Sequence, residues 1–158
     1  MATTSLPFVY HDGGRAEAGY RGACGDCVCR SIAIASGRPY AEVYAALNDA
    51  ARGERRSRRR RGKRSSAREG VFAPTIRRLL VSWGWTWTPT MAIGSGCTVH
   101  VRQGEVPPAG RHILALSRHL VALVDGVLYD TSDPSRDGTR CVYGLFTTPP
   151  MATVETTL

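Results

Sequence analysis

The sequence lacks any long apolar run and any recognisable secretory start. Hydrophobic residues make up 42% of its 158 residues, but no run of them approaches the length of a membrane span. The N-terminus, MATTSLPFVYHDGG, has neither a basic start nor an apolar stretch, which argues against a secretory signal. We therefore expect a cytoplasmic protein without membrane contact. At this length we expect one domain, spanning residues 1–158, with a hydrophobic core.

The sequence also lacks an even set of cysteines. An odd count of five, without a secretory signal, predicts reduced thiols rather than a disulfide framework. Cys24, Cys27 and Cys29 lie close together, whereas Cys97 and Cys141 stand singly, without a second CxxC or an HxxxH pair. A structural zinc site usually needs two paired ligand clusters, so the sequence predicts no metal site.

The net charge of +8 is concentrated in one segment, residues 52–68. This insert holds ten of the 21 basic residues and one acidic residue, so it carries +9 and the remainder of the chain carries −1. Because it has no apolar periodicity, we predict a solvated, disordered insert. No aromatic residue is interleaved for base stacking, so any nucleic-acid binding would be non-specific. The side chains that would contact phosphates are Arg58, Arg59, Arg60, Arg61, Lys63 and Arg64.

Apolar spacing predicts helices in the first half of the chain and strands in the second. Helices are expected at 27–36, at 40–51 and from Pro74 to Gly84. From Trp85 onward the period changes to two, and short apolar runs lie at 97–101, 111–117, 118–124, 127–132 and 140–146. Residues 8–10 are the one strand candidate before the helices. This order predicts an α+β fold, with N-terminal helices packed on a C-terminal antiparallel sheet.

The first of these helices begins at a cysteine, in the stretch CGDCVCRSIAIAS. Asp26 is a good N-cap residue, and the apolar residues after Cys27 recur at helical spacing. Unpaired N–H groups and the helix dipole favour a thiolate at such a position, which lowers the pKa of the thiol and makes it nucleophilic. The alternative is that Cys27 is a small buried apolar residue.

A predicted hairpin, RHLVALVDGVLYDTSDP, contains a candidate base. Asp125-Gly126 is a strong two-residue turn signal, and with these residues as the loop Val124 pairs with Val127. The same register places His119 opposite Ser132. Alternation of side chains along the two strands therefore fixes which residues share a face with His119.

Two aspartates are candidates for holding the His119 imidazole. Asp130 is a diagonal neighbour of His119 on the same face, close enough for a carboxylate to accept an imidazole N–H. Asp133 would point to the opposite face if the strand continued straight, but strands often bend near a proline such as Pro134. We favour Asp130 and keep Asp133 as the alternative.

Cys27, His119 and a carboxylate together make the set that thiol catalysis needs. The thiolate attacks, the imidazole moves the proton and the acid fixes the imidazole tautomer, without a cofactor. The thioester intermediate can be resolved by water, by an amine, or after attack on a side-chain amide. These outcomes correspond to a peptidase, a transglutaminase-like acyl transferase and a deamidase. A non-catalytic, basic nucleic-acid-binding module is the alternative from another class.

These stretches resemble the papain-like cysteine peptidase superfamily. CGDC, ending at Cys27, resembles the CGSC around the papain nucleophile, and HLVALVDG resembles the strand that carries the family's histidine. GDCVCRSIAIASGRPYAEVY is also similar to a small bacterial and phage group with this fold. The resemblance implies a papain-like fold and a protein or peptide substrate. It also implies that Cys27 is the nucleophile, His119 the base and Asp130 the orienting acid.

The sequence departs from the papain-like pattern at one position. Papain-like enzymes usually place a Gln six residues before the cysteine to donate a hydrogen bond to the oxyanion, and Arg21 stands there in this chain. The backbone N–H of Cys27 supplies one donor. Arg21 and Asp26 mark the region in which we expect the oxyanion to lie, and the second donor is unassigned.

Overall fold

Three helices and six strands form within residues 4–55, 58 and 61–149, which are the residues that the computed structural model describes. In chain order these elements are β1 (Phe8–Tyr10), α1 (Cys27–Ser36), α2 (Tyr40–Arg52), α3 (Ala73–Ser82), β2 (Thr86–Pro89), β3 (Arg111–Leu116), β4 (His119–Val124), β5 (Val127–Asp130) and β6 (Gly144–Thr147).

The helices agree with the sequence prediction to within about two residues at each end. α1 ends at Gly37, whose φ of 72° gives the left-handed conformation that closes many helices. α3 has Pro74 in its first turn, where a missing backbone N–H costs nothing. Across the described ranges, none of the helices is both long enough and apolar enough to cross a membrane.

The strands form one mixed sheet. The C-terminal strands β2 to β6 pair in the antiparallel manner that the sequence predicts, whereas the N-terminal β1 joins them in parallel, which the sequence analysis does not predict. Their order is β1-β5-β4-β3-β6-β2, with antiparallel pairs everywhere except at β1, which runs parallel to β5. Phe8 lies opposite Leu128 in this parallel pair. The direction of β1 depends on how the chain returns to the sheet after three helices, which no local pattern encodes. The coarser prediction of an α+β fold is confirmed.

Two of the predicted strand runs are also corrected. The run 97–101 forms only an isolated bridge between His100 and Cys141, and the run 140–146 becomes a regular strand only at Gly144. The two segments exchange few backbone bonds, including Val101 N–H to the Arg140 carbonyl at 2.9 Å. A turn follows directly after residue 101, so the pairing has no room to extend.

Cys97 and Cys141 form a disulfide, so the prediction of reduced thiols is wrong for this pair. Their Cα atoms lie 5.8 Å apart although the two residues are separated by 44 positions in the sequence. Their proximity comes from the bridge between residues 100 and 141, which the sequence did not reveal. Disulfides persist mainly in oxidising compartments. The cytoplasmic location therefore stays a prediction, and the disulfide is an observation that argues against it.

The hydrophobic core lies on both faces of the sheet. On one face, α1, α2 and α3 pack against strand residues that include Ile113, Ala122 and Phe146. On the other face, Leu114, Val121 and further strand residues pack against loop residues such as Val101 and Val106. Neighbouring strand residues thus alternate between two apolar layers, as the pleat requires. α1 contacts β3, β4 and β5, which brings its first turn to the central strands.

The basic insert is only partly solvated. Ser65 and Ala67 are buried, and the Ala67 N–H donates to the Asn48 side chain at 2.9 Å. The Glu54 carboxylate accepts bonds from the Ser65 N–H at 2.7 Å and from the hydroxyls of Ser65 and Thr75. Disorder is therefore the wrong prediction for residues 65–68, because they complete the contacts of α2 and α3.

The rest of the insert divides into exposed residues and residues outside the description. Arg58, Arg61, Lys63 and Arg64 are exposed. Residues 56, 57, 59 and 60 lie outside the described residues. The predicted disorder of these four residues and the predicted phosphate contacts of Arg59 and Arg60 therefore stay predictions.

We predict that the insert has a dispensable part and a structural part. The Ser65 N–H lies 2.7 Å from the Glu54 carboxylate, so a short Gly-Ser linker can replace residues 55–64. This replacement should change the free energy of unfolding by less than about 1 kcal/mol, whereas deletion of 52–68 should cost more than about 2 kcal/mol. Urea unfolding of both variants measures the difference. Equal losses in the two variants would contradict this division.

Candidate active site

Cys27 is the first residue of α1, as the sequence predicts, but Asp26 does not cap the helix with its side chain. Asp26 occupies the N-cap position, yet its carboxylate is turned into the protein and is only 1% exposed. There it accepts hydrogen bonds from the Tyr40 hydroxyl at 2.7 Å and from the Arg30 guanidinium. The first-turn N–H groups of α1 are thus left without this cap, and the half-buried Cys27 thiol lies beside them.

The β4–β5 hairpin forms in the predicted register. Val124 lies opposite Val127, and Leu123 lies opposite Leu128. The predicted pair of His119 and Ser132 does not form as part of the ladder, since β5 ends at Asp130. The register nonetheless places His119 and Asp130 on the same face.

His119 and Asp130 are in direct contact. The His119 Nε2 lies 2.5 Å from the Asp130 Oδ2, and the Asp130 side chain is almost fully buried. Asp133 is exposed, and its carboxylate accepts the Ser135 N–H at 2.9 Å instead. Of the two candidate aspartates, Asp130 is therefore the one that contacts the imidazole.

The Cys27 thiol lies beside the His119 side chain, and the two groups interact directly. Because the Nε2 of His119 is bound to Asp130, Nδ1 is the ring nitrogen left for the thiol. The sulfur, the ring and the carboxylate thus form one chain of neighbouring groups, in which the imidazole lies between the other two. This chain joins α1 to the β4–β5 hairpin across a sequence separation of more than 90 residues.

Burial and charge act in opposite directions on the Cys27 thiol. Burial raises its pKa, but the adjacent His119 imidazole, the Leu120 N–H and the positive charges of His119 and Arg30 outweigh that effect and lower the pKa overall. A lowered pKa means that the thiolate, the nucleophilic form, is available closer to neutral pH.

The pKa values of His119 and Asp130 are shifted in the directions that favour the ionised form of each group. Burial lowers the pKa of His119, but its bonds to Asp130 and Cys27 outweigh this and raise the value to about 9. Burial raises the pKa of Asp130, but His119, the Thr131 N–H and Arg30 lower it overall. These shifts favour a thiolate–imidazolium pair held by an ionised carboxylate.

Arg30 is a site residue that the sequence analysis missed. One of its guanidinium nitrogens donates to the Asp130 Oδ1 at 3.0 Å, and another donates to Asp26. The helical spacing already places Arg30 on the same face as Asp26 and Cys27, because it follows them by four and three residues. Its second partner, Asp130, lies 100 residues later and no local pattern links the two.

The site opens into a cleft of about 750 Å³ that both Cys27 and His119 line. Residues 69–71 and the N-terminal half of α3 contribute to its lining, as do Trp87 of β2 and residues 115–116 and 118–120 around the β3–β4 turn. This volume lies within the range of clefts that bind organic ligands or short peptide segments. The thiol is therefore accessible to a substrate carbonyl.

The two residues expected near an oxyanion do not supply side-chain donors. Arg21 is exposed and is not among the residues that line the cleft. Asp26 lines the cleft, but its carboxylate only accepts hydrogen bonds and is already engaged by Arg30 and Tyr40. The backbone N–H of Cys27 stays the candidate donor, because N–H groups in a first helical turn lack an intrahelical partner.

The three neighbouring cysteines do not converge on a common point. Cys29 is buried and its thiol contacts the Tyr40 carbonyl, whereas the Cys24 thiol donates to Asp26 at 3.2 Å. Within the described part of the chain, no group of three or more potential metal-binding side chains is present. The three thiols therefore have separate surroundings.

We predict that Cys27 is the most reactive of the free thiols. Burial raises the pKa of Cys29 to about 12, and burial together with the bond to Asp26 raises that of Cys24. At about pH 6 to 7, iodoacetamide should therefore alkylate Cys27 first, as peptide mass spectrometry can measure. Cys27→Ala should abolish the fast phase, and similar rates at Cys24 and Cys27 would refute the assignment. The disulfide removes Cys97 and Cys141 from the comparison.

Comparison of this chain with protein-family models, with curated proteins and with solved structures gave no match. The papain-like resemblance of its sequence therefore stays a prediction.

Proposed function

We propose that this protein is a papain-like thiol hydrolase that cleaves a peptide or amide bond. The supporting observation is the series of Cys27, His119 and Asp130 beside an open cleft, in which the imidazole interacts with the thiol and is hydrogen-bonded to the carboxylate. A reduced, half-buried thiol, an imidazole and a buried carboxylate in this order match the roles that thiol catalysis requires. The three residues come from separate elements, and simple core packing gives no reason to bring them together.

The first half of the reaction uses the thiolate–imidazolium pair. The Cys27 sulfur attacks the carbonyl carbon, and the carbonyl electrons move to the oxygen, which the backbone N–H of Cys27 stabilises. As the C–N bond breaks, the Nδ1–H of His119 gives its proton to the leaving amine. The products of this step are a thioester on Cys27 and a neutral imidazole. The Nε2–H of this imidazole stays hydrogen-bonded to the Asp130 carboxylate.

The second half resolves the thioester. His119 accepts a proton from a water molecule, the oxygen attacks the thioester carbon, and the sulfur leaves as the thiolate. An amine in place of water would give acyl transfer, and a side-chain amide as the first substrate would give deamidation. These reactions use the same three residues, so product analysis with and without an added amine distinguishes them.

Arg30 acts as a positioning residue in this mechanism. Its guanidinium fixes one oxygen of Asp130 while His119 occupies the other, so the carboxylate has little freedom to rotate. Arg30 also offsets the charge of Asp26, whose burial would otherwise be costly.

The triad can be tested by substitution once a peptide-library screen has identified a cleavable sequence. His119→Ala should reduce kcat/KM by about 100-fold or more, because the base is lost, and Asp130→Asn by about 10-fold or more. Asp133→Asn is the matched control and should stay within about twofold, because Asp133 contacts Ser135 and not the imidazole. Circular dichroism checks that each variant is folded. Equal effects of the two aspartate substitutions would refute the assigned roles.

The pH dependence provides a second test of Asp130. Raising the pH through about 9 should remove activity, because His119 then loses the proton that the leaving amine needs. Asp130 raises the pKa of His119, so Asp130→Asn should shift this alkaline limb to lower pH, toward the ordinary value of 6.5. Profiles of kcat/KM for the wild type, Asp130→Asn and Asp133→Asn measure the shift. An unmoved limb in Asp130→Asn would contradict the proposed contact.

A further inference from the structure

The catalytic residues and their ion partners form a network that is balanced in charge. The anions are the Cys27 thiolate, Asp26 and Asp130, and the cations are Arg15, Arg30 and His119. Arg15 completes this balance from outside α1, with its Nε 3.7 Å from the Asp26 Oδ2. The network therefore leaves no net charge with which to attract or repel a substrate.

Three other charged residues line the cleft, and two of them are arginines. Arg77 projects from α3, Arg118 lies in the β3–β4 turn, and Glu69 is the acidic member. Arg118 directly precedes His119, is exposed, and has no hydrogen bond or ion pair to another residue of the described chain. The cleft beyond the catalytic network thus has an excess of one positive charge.

The Arg77 guanidinium lies over the aromatic ring of Trp87. The guanidinium lies 4.9 Å from the ring centroid of Trp87, which also packs 4.6 Å from the Phe146 ring. Gly144 makes room for this ring, since a Cβ at that position would lie 2.4 Å from Trp87. A guanidinium stacked in this way keeps its N–H edge free for hydrogen bonds in the plane of the group.

We infer that the cleft selects substrates that carry a carboxylate near the scissile bond, with Arg118 and Arg77 as the groups that bind it. This inference rests on the proposed function and names the substrate class for the same site. Arginine binds carboxylates through paired N–H donors, and low-dielectric walls concentrate the field of uncompensated charges within a cleft. The carboxylate belongs to an acidic side chain or to a free chain terminus.

Iodoacetate and iodoacetamide form a matched pair of probes, because they react with a thiol in the same way. They differ only in that iodoacetate carries a carboxylate where iodoacetamide carries a neutral amide. The Cys27 sulfur forms a bond to the methylene carbon, and iodide leaves with the electrons of the C–I bond. The ratio of the two rates at Cys27 measures attraction of the anion, and it requires no knowledge of the substrate. His119 contributes to this ratio in every variant, so changes between variants report on the arginines.

Arg118→Gln and Arg77→Gln should each lower the iodoacetate-to-iodoacetamide rate ratio by about two- to fivefold, the range expected for an exposed ion pair. The matched controls are Arg136→Gln and Arg78→Gln. Arg136 is the control for Arg118, because both residues have a positive φ, 51° at Arg136 and 54° at Arg118. Arg78 is the control for Arg77, its neighbour on α3, because the Arg78 guanidinium donates to the Ala50 carbonyl. Both controls should retain the wild-type ratio. High salt should reduce the wild-type ratio toward that of the variants.

Peptide substrates then distinguish the two sources of the carboxylate. Peptides with Glu or Asp next to the cleaved bond and blocked ends are compared with neutral peptides that have a free C-terminus. Whichever source is used should lose its advantage over the neutral blocked peptide in the Arg118→Gln, Arg77→Gln double variant.

The failures of the two proposals are distinguishable. Fast reaction of Cys27 with iodoacetamide, together with an unchanged rate ratio in both arginine variants, would overturn the substrate inference and leave the thiol hydrolase standing. Slow reaction of Cys27 with both reagents would overturn the hydrolase and the substrate inference with it.

Discussion

The guanidinium of Arg30 ties the helix that carries Cys27 to the hairpin that carries His119. It lies between two nearly buried carboxylates, Asp26 at the helix start and Asp130 at the end of β5. A buried charge is tolerated only when it is paired and hydrogen-bonded, and Arg30 supplies a partner to both carboxylates, beside Arg15 at Asp26 and His119 at Asp130. Loss of the guanidinium would leave Asp26 with Arg15 and Asp130 with His119 as their remaining cationic partners. Within this network, Arg30 is therefore the side chain that joins the carboxylate at the start of α1 to the carboxylate that contacts His119.

The contrast between Cys27 and Cys29 shows which effect activates a thiol here. Both lie in the first turn of α1, and both lose solvation, yet the pKa of Cys27 is lowered while burial raises that of Cys29 to about 12. The helix dipole acts on both residues, so it does not account for the difference. The decisive influence is the neighbouring imidazole, which contacts only one of the two. A cysteine at a helix start is thus a weak signal until a base is identified.

The parts of the site that could be predicted from sequence are those set by local patterns. The bounds of α1 followed from apolar spacing and Gly37, and the contact of His119 with Asp130 followed from a turn of two residues and the alternation of strand faces. The parts that could not be predicted join segments that are distant in sequence. They include the parallel pairing of β1, the disulfide of Cys97 with Cys141, and the Arg30–Asp130 ion pair. In each case the partner is specified by the path of the chain through the fold.

The end of the basic insert packs against the loop before Cys27, although the insert looks dispensable in sequence. The Gly25 N–H donates to the Arg68 carbonyl at 2.7 Å, and a Cβ on Gly25 would lie 2.9 Å from the Glu69 carbonyl oxygen. Arg68 in turn donates to the Ala23 carbonyl, so the last residue of the basic insert is bound to the loop that precedes Cys27. The glycine of the CGDC stretch thus permits close packing of two backbones. Composition marked residues 52–68 as solvent-exposed, but Arg68 is bound to the loop before Cys27 and directly precedes residues 69–71, which line the cleft.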